Sequence, residues 1–377
     1  MTSRLLIGLV LSLALGVPGR AELPIAAAAE KASRNLREKP SESLSSLPTG
    51  KGLPVVVRLA LRYVEVTSID EAEATYTATV DLRLRWQDLR LQYPPESSPQ
   101  GFLQFRDEAA AAKMAEIWTP AVSFWNLSGE PSLQMHGLRI FPDGRVEMML
   151  RTRATFETPF DVERFPFDRQ GLQVEVISSR ESVQRLSLEF EQDDLDFSQA
   201  PASSELQDWV TGIVSLRRDL VDGWYGEDLA RVTVSLAVQR RAAKASAPIF
   251  IPLLASLLIP LVAIWMNRIE DGEFQIEAFE QANVIVGGLF AVVALNFTLN
   301  AEYGALSSSD NTVRRLLALN YLALALSLIV NLTLFRFNLP MRWFGRYVQE
   351  QVFLFLSWAV PLLVLATAVA TLLVAMA

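Results

Sequence analysis

ASAPIFIPLLASLLIPLVAIWM, residues 245–266, runs 22 residues without a formal charge. A helix of that length rises about 33 Å, enough to cross the ~30 Å hydrocarbon core of a bilayer. Three similar runs follow it: Gln281–Ala301 (21 residues, interrupted by Asn283, Asn296 and Asn300), Leu316–Phe335 (20) and Gln351–Ala377 (27). Core helices of soluble proteins rarely extend so far without a charge, so four in succession predict an all-α transmembrane domain over 245–377. Its helices are expected at about 247–267, 279–302, 312–336 and 350–376.

Loop charge sets the orientation. The connection Phe337–Glu350 holds Arg342 and Arg346, with Arg336 at its edge, and the positive-inside rule places it in the cytoplasm. The first loop carries Arg268 against Glu270, Asp271, Glu273, Glu277 and Glu280, but acidic residues count little in that rule. At the other end of the chain, MTSRLLIGLVLSLALGVPGRA (1–21) has one arginine, an apolar run from Leu5 to Val17 and small residues before Glu22. That is the layout of a signal peptide cleaved after Ala21, and the run is too short to span a membrane. A secreted N-terminal part and four crossings agree with this orientation.

Composition supports two parts in one chain. Of 377 residues, 51% are hydrophobic, yet 42 are acidic and 34 basic, too much charge for membrane helices alone. No cysteine is present and His136 is the one histidine. That excludes disulfides, thiolate metal sites and cysteine nucleophiles, and leaves neither a nucleophile–base pair nor a multi-histidine centre for an enzyme. The net charge of −8 argues against a nucleic-acid partner.

Residues 22–53 read as a linker, and period-two alternation begins after them. Val55, Val57, Leu59, Leu61 and Tyr63 share one face, with Arg58 and Arg62 on the other; Val80, Leu82, Leu84 and Trp86 alternate with Asp81, Arg83 and Arg85. Val146, Met148 and Leu150 repeat the pattern, and shorter runs lie at 172–177, 186–190, 211–217 and 231–238. Many alternating strands, with a helical pattern only at 107–115, predict an extracytoplasmic antiparallel β-sandwich over 54–244. Trp86 and Trp118 read as aromatics of its core.

Several motifs then point to a family. Trp86-Gln-Asp88-Leu-Arg90-Leu91, Ile117-Trp118-Thr-Pro120 with Trp125-Asn126, Phe165-Pro166-Phe167-Asp168-Arg-Gln170, and Leu258-Ile259-Pro260 in the first span together resemble the pentameric ligand-gated ion channels, the Cys-loop receptor superfamily, in a cysteine-free bacterial form. The flanking cysteines of the signature loop would fall at Thr158 and Leu172. The resemblance implies a homopentameric, ligand- or proton-gated channel in a bacterial inner membrane, with the sandwich in the periplasm and membrane lipid around the helices. It implies no cofactor. It also implies that the loop Phe165-Pro166-Phe167-Asp168 couples the two domains, with Asp168 stabilising its own turn or pairing with Arg240, Arg241 or Lys244.

The second span is the richest in small and amide residues, and spacing of four and three collects Asn283, Gly287, Phe290, Ala294, Phe297 and Ala301 on one face. Glu280 stands at its cytoplasmic entrance, where identical subunits would ring the axis with carboxylates and favour permeant cations. Glu280-Gln-Ala-Asn283-Val is one residue longer than the E-A-N-V of similar bacterial channels, which leaves the register of Glu280 open by one position. A lining through Asn296 and Asn300, with the phenylalanines packed between helices, stays open as the alternative.

The resemblance also locates a ligand site between subunits. Trp125, Trp224 and Tyr225 stand at aromatic positions of that site, but Ser179 and Asp81 fall where further aromatics are expected. This half-aromatic, half-acidic box suits cation–π capture of a quaternary amine poorly. Asp81, Glu181, Glu227 and Asp228 leave calcium, an amine or protons as alternatives beside a plain solvated face, and any metal site stays unknown. The rival from another class is a non-conducting membrane sensor, although cytoplasmic loops of about 14 residues leave it no signalling domain.

Overall fold

The computed structural model describes residues 43–376 apart from 200–205, 207, 267, 271–272, 276–277 and 303–309. The expected signal peptide and residues 22–42 of the expected linker lie outside the described residues, as do Asp271 and Glu277 of the first membrane loop.

Alternating apolar residues build ten strands before the membrane helices. In chain order these are β1 (Val55–Asp70), β2 (Thr75–Gln87), β3 (Leu103–Arg106), β4 (Val122–Phe124), β5 (Leu127–Ile140), β6 (Arg145–Glu157), β7 (Arg169–Ser178), β8 (Leu186–Glu189), β9 (Trp209–Asp222) and β10 (Asp228–Arg240). Helix α1 (Asp107–Glu116) follows β3, and α2 (Gln192–Ser198) follows β8. They form a six-stranded sheet, β3-β5-β6-β2-β1-β8, and a four-stranded sheet, β4-β7-β10-β9. All the pairings within them are antiparallel except that of β1 with β8, where Val55 lies opposite Leu186. The period-two sets Val57, Leu59, Leu61, Tyr63 and Val80, Leu82, Leu84, Trp86 are buried between the sheets, with Trp86 edge-on to Trp118. Two tyrosines tie the layers together: Tyr63 Oη donates to Leu172 O (2.6 Å) and Tyr76 Oη to Gln173 O (2.7 Å). Burial pushes the hydroxyl pKa of Tyr63 upward, so this tie stays protonated.

The linker expected to reach residue 53 ends earlier. Leu47 enters the sandwich core, Trp118 N donates to Leu44 O (2.7 Å), and the Arg90 guanidinium donates to Ser43 O and Ser46 O (3.0 and 2.8 Å). Ser43–Leu53 therefore belongs to the sandwich, held by a cation from a distant turn that no local pattern reveals.

The second domain contains α3 (Ala242–Trp265), a small hairpin Arg268–Glu270 with Glu273–Gln275, α4 (Ala278–Glu302), α5 (Thr312–Asn331) continued by a π-helical turn Leu332–Arg336, α6 (Leu339–Phe344) and α7 (Arg346–Met376). Four of its helices are long and apolar enough to cross a membrane. The first starts at 242, not 247, and the fourth at 346, not 350. Charged residues mark the edge of an apolar run but do not interrupt a helix, so the hydrogen-bonded segments outrun it. Asn320, fully buried, donates from Nδ2 to Leu253 O (3.2 Å), and Ser256 Oγ donates to Asn320 Oδ1 (3.0 Å), which clamps α5 to α3. On α4, Gly288 lets the backbone lie against Ile259 and Leu324.

Candidate functional site

The two domains meet at the loop between β6 and β7. Phe165 is buried, Phe165–Pro166 is a cis peptide, and Val162 and Phe165 share one apolar cluster with Ile249, Phe250 and Leu253 of α3. Phe167 stacks on Phe250 with centroids 6.3 Å apart. Thr312 N, at the start of α5, donates to Glu163 O (3.2 Å), and Arg315 reaches the Glu163 carboxylate (3.1 Å) and Asp310 (2.8 Å). This loop thus touches the first and third membrane helices together.

Behind that contact lies a buried ion cluster. Arg240 Nε donates to Asp168 Oδ1 (2.7 Å) and Nη2 to Oδ2 (3.2 Å), while Nη1 reaches Glu71 at 2.8 Å. The guanidinium carbon sits 4.2 Å over the Trp209 ring and 4.7 Å over Phe165. A cation so placed, with paired acids and aromatic faces, is satisfied on every side. Burial works to lower the Arg240 pKa, but its hydrogen bonds to Asp168 and Glu71 outweigh that and raise it. Arg240 ends β10 directly before α3, so the cluster joins the β1–β2 turn, the loop and the first membrane helix. Glu71 and Trp209 have no local sequence signal, because their roles arise from strands far apart in the chain.

Gln170 laces the loop internally, donating from Nε2 to Asp161 O (2.6 Å) and Asp168 Oδ2 (2.8 Å) and accepting from Asp161 N (3.0 Å). Where the resemblance puts flanking cysteines, Thr158 Oγ1 donates to Gly171 O (3.0 Å).

Helix α4 has two unlike sides. Ile285, Gly288, Val292 and Leu299 are buried against α3 and α5. Glu280, Asn283, Gly287, Phe290, Ala294, Phe297 and Ala301 are all exposed in the single chain, Phe290 by 71% and Phe297 by 73%. The alternative stripe is also partly open: Asn300 is exposed and its Nδ2 donates to Asn296 Oδ1 (3.1 Å), and both border a recess of about 280 Å³ beside Asn311, Arg314 and Tyr321.

The expected ligand residues divide between the sheets. Trp125 follows β4, half-exposed, and its N–H donates to Glu175 O (2.8 Å) of β7. Ser179, just past β7, donates from N and Oγ to Ala121 O (2.8 and 3.0 Å). Trp224 and Tyr225, each 93% exposed, form the tip between β9 and β10, where Glu227 Oε2 accepts from Tyr225 N (2.9 Å). Val183 N donates to Asp228 O (2.8 Å), which ties this tip to the loop bearing Ser179 and Glu181.

The acidic half of the expected box is corrected by the structure. Asp81 lies in the middle of the six-stranded sheet, buried, held by Arg151 (2.7 and 2.9 Å) and by Arg62. Burial alone would raise its pKa, but those hydrogen bonds outweigh it and hold the carboxyl below its ordinary 3.8. Glu181 pairs with Arg185 at 3.0 Å. Asp81 is therefore engaged in the sheet and apart from the other three, and no group of three or more acidic or histidine side chains among the described residues is placed to hold a metal.

Comparison with known proteins agrees with this architecture. Residues 37–242 match the neurotransmitter-gated ion-channel ligand binding domain. The chain is 29% identical over 124 residues to a proton-gated ion channel of Gloeobacter violaceus, covering 33% of each protein. It is 24% identical over 228 residues to the mouse gamma-aminobutyric acid receptor subunit theta, covering 58% of this chain and 34% of that one. It is 23% identical over 224 residues to the human rho-3 subunit, covering 58% and 46%. The aligned stretches span between a third and a half of these relatives. With a matching domain over more than half its length, a β-sandwich and four apolar helices after it, the chain belongs to the neurotransmitter-gated ion channels of the pentameric Cys-loop superfamily.

Proposed function

We propose that the chain forms a homopentameric, cation-selective channel whose pore is lined by α4, in a bacterial inner membrane with the sandwich in the periplasm. One observation carries this reading: α4 buries one side against its neighbours and leaves Glu280, Asn283, Gly287, Phe290, Ala294, Phe297 and Ala301 uncovered along the other. A helix ridge ending in a carboxylate and studded with phenyl rings is intelligible where copies face one another across water. Phe290, between Gly287 and Ala294, is the bulky residue of the middle, and a ring of such side chains holds a resting pore dry.

Gating enters at the edge that carries Trp125, Ser179, Glu181, Trp224 and Tyr225, which would bind a small ligand against the next subunit, or through protonation, the stimulus named for the Gloeobacter relative. Movement there reaches α3 through Arg240, Asp168 and Phe167. The test is bilayer recording of purified protein. Phe290→Ser should give a channel that leaks at rest or opens at lower stimulus, with a smaller effect for Phe297→Ser, in particles whose mass equals five chains. Unaltered resting conductance in Phe290→Ser would remove this face from the pore, and a particle of one or two chains would remove the channel.

A further inference from the structure

The end of the sandwich remote from the membrane helices carries a cleft that the gating scheme does not use. Strand β2 rises from the turn that holds Glu71 and ends at Gln87, and there Pro48, Lys51, Gly52 and Pro54, ahead of β1, enclose about 600 Å³ against the sheet. That is room for a small molecule. Strand pairing decides which side chains border it. Arg58 of β1 lies opposite Arg85 of β2 and opposite Glu189 of β8, and Gln87 lies opposite Arg145 of β6; all of them line the cleft. Two arginines in directly opposed positions repel each other, so positive charge is concentrated here against a cost.

The acids of the cleft do not neutralise it. Asp143 caps its own turn, Oδ1 accepting from Arg145 N (3.1 Å), and Glu189 accepts from Ser187 Oγ (3.0 Å) and lies 3.6 Å from Arg218. Among the cations, Arg58 pairs with Glu191, but Arg85 shares the Asp194 carboxylate with Arg83 (2.6 and 3.0 Å). Lys51 and Arg145 are exposed, and neither has an acidic side-chain partner among the described residues. Two residues that border the cleft, Arg85 and Trp86, hold buried N–H donors, Nε and Nε1, with no acceptor among the described residues. Native structures leave few such donors unmade, because the lost hydration is not returned. Unmatched cations and idle donors around one small-molecule space select an occupant rich in negatively charged oxygen. We propose that the cleft binds a small polyvalent oxyanion, a molecule with at least two carboxylate or phosphate groups, one held at Arg85 and another between Lys51 and Arg145. The site lies within one chain and is independent of conduction.

The test is titration calorimetry of the purified full-length protein in detergent at constant ionic strength, with citrate, pyrophosphate and acetate as probes. The expected result is saturable binding of citrate, pyrophosphate or both at one per chain. Acetate, which satisfies one end only, should bind about tenfold more weakly, and whichever polyanion binds tighter tells carboxylate from phosphate. K51Q/R145Q, which breaks no ion pair among the described residues, should weaken the binding about tenfold, and E189Q should strengthen it. R153Q is the control: it lies eight residues further along β6, about 27 Å away and well beyond the screening length, and should leave the affinity unchanged. Arg85 is kept in every variant because the buried Asp194 depends on it. Saturation by neither polyanion, unchanged affinity in K51Q/R145Q, or an equal loss in R153Q would each overturn the proposal.

Discussion

Gly287 and Gly288 are adjacent on α4, and alanine should act differently on stability at the two. A Cβ on Gly288 would stand 2.8 Å from Ile259 Cγ2 and 2.9 Å from Leu324 Cδ2, short of carbon contact by about 0.6–0.7 Å. Leu324 can swing its terminal methyl away, but the Ile259 methyl sits on a β-branched carbon with little rotamer choice. Overpacking of this kind costs about 1–3 kcal/mol, and an alanine in mid-helix returns about 1 kcal/mol relative to glycine. The net for Gly288→Ala is a loss of up to about 2 kcal/mol. A Cβ on Gly287 meets no atom within 4 Å, so Gly287→Ala keeps the gain of about 1 kcal/mol. At roughly 2 °C per kcal/mol for a chain of this size, Gly288→Ala should melt about 2–6 °C below Gly287→Ala. Thermal unfolding of purified protein in one detergent, followed by tryptophan emission, reads this directly. Gly288→Ala as stable as Gly287→Ala would refute the close packing of α4. A loss at Gly287 equal to that at Gly288 would mean that a neighbouring subunit fills the space assigned to the pore.

Three further outcomes are expected. Asp168→Asn and Arg240→Gln should each destabilise the protein, and a double-mutant cycle should show a coupling of about 1.5–3 kcal/mol; additive effects would leave the cluster no role in joining the domains. Glu280→Lys should weaken or invert cation preference, read as a shifted reversal potential in asymmetric salt, and an unmoved potential would place the filter elsewhere. Because the folded pKa of Asp81 lies below its ordinary value, its contribution to stability is complete above about pH 4 and is lost as the pH falls through the depressed value. The melting temperature should therefore fall from about pH 5 to about pH 3 less steeply in Asp81→Asn than in the wild type, and equal slopes would assign the acid sensitivity to other groups.

What the sequence disclosed followed from periodicity and from runs of one character. Four uncharged stretches announced four helices, and strict alternation in β1, β2 and β6 announced the sandwich. Strand β5 stayed hidden because Gly129, Pro131 and Gly137 interrupt its pattern and its register slips between Ser128 and Leu133. Asp81 looked available because alternation puts it on the polar face, but cross-strand pairing sets Arg151 opposite and Arg62 beside it. The Arg240 cluster was half legible: Asp168 stood in a motif and Arg240 was one of three basic candidates before the first span, whereas Glu71 and Trp209 join only through strand pairing and chain crossing. The spacing on α4 picked out residues that are exposed in the single chain, but Val286, Leu289 and Asn300 are exposed as well, so exposure alone does not choose a pore face.

The junction loop is closed by Thr158, Gln170, Asp168 and Arg240 in a sequence without a single thiol. Such a fastening is indifferent to reductant. It can form in a reducing compartment, needs no oxidase during maturation, and survives dithiothreitol that would open a cystine at the same place. The chain is likewise a blank background for thiol chemistry. One cysteine placed at Phe167 or along the uncovered side of α4 would be the molecule's sole reactive handle, so a spectroscopic label or a crosslinker could report opening from one chosen point.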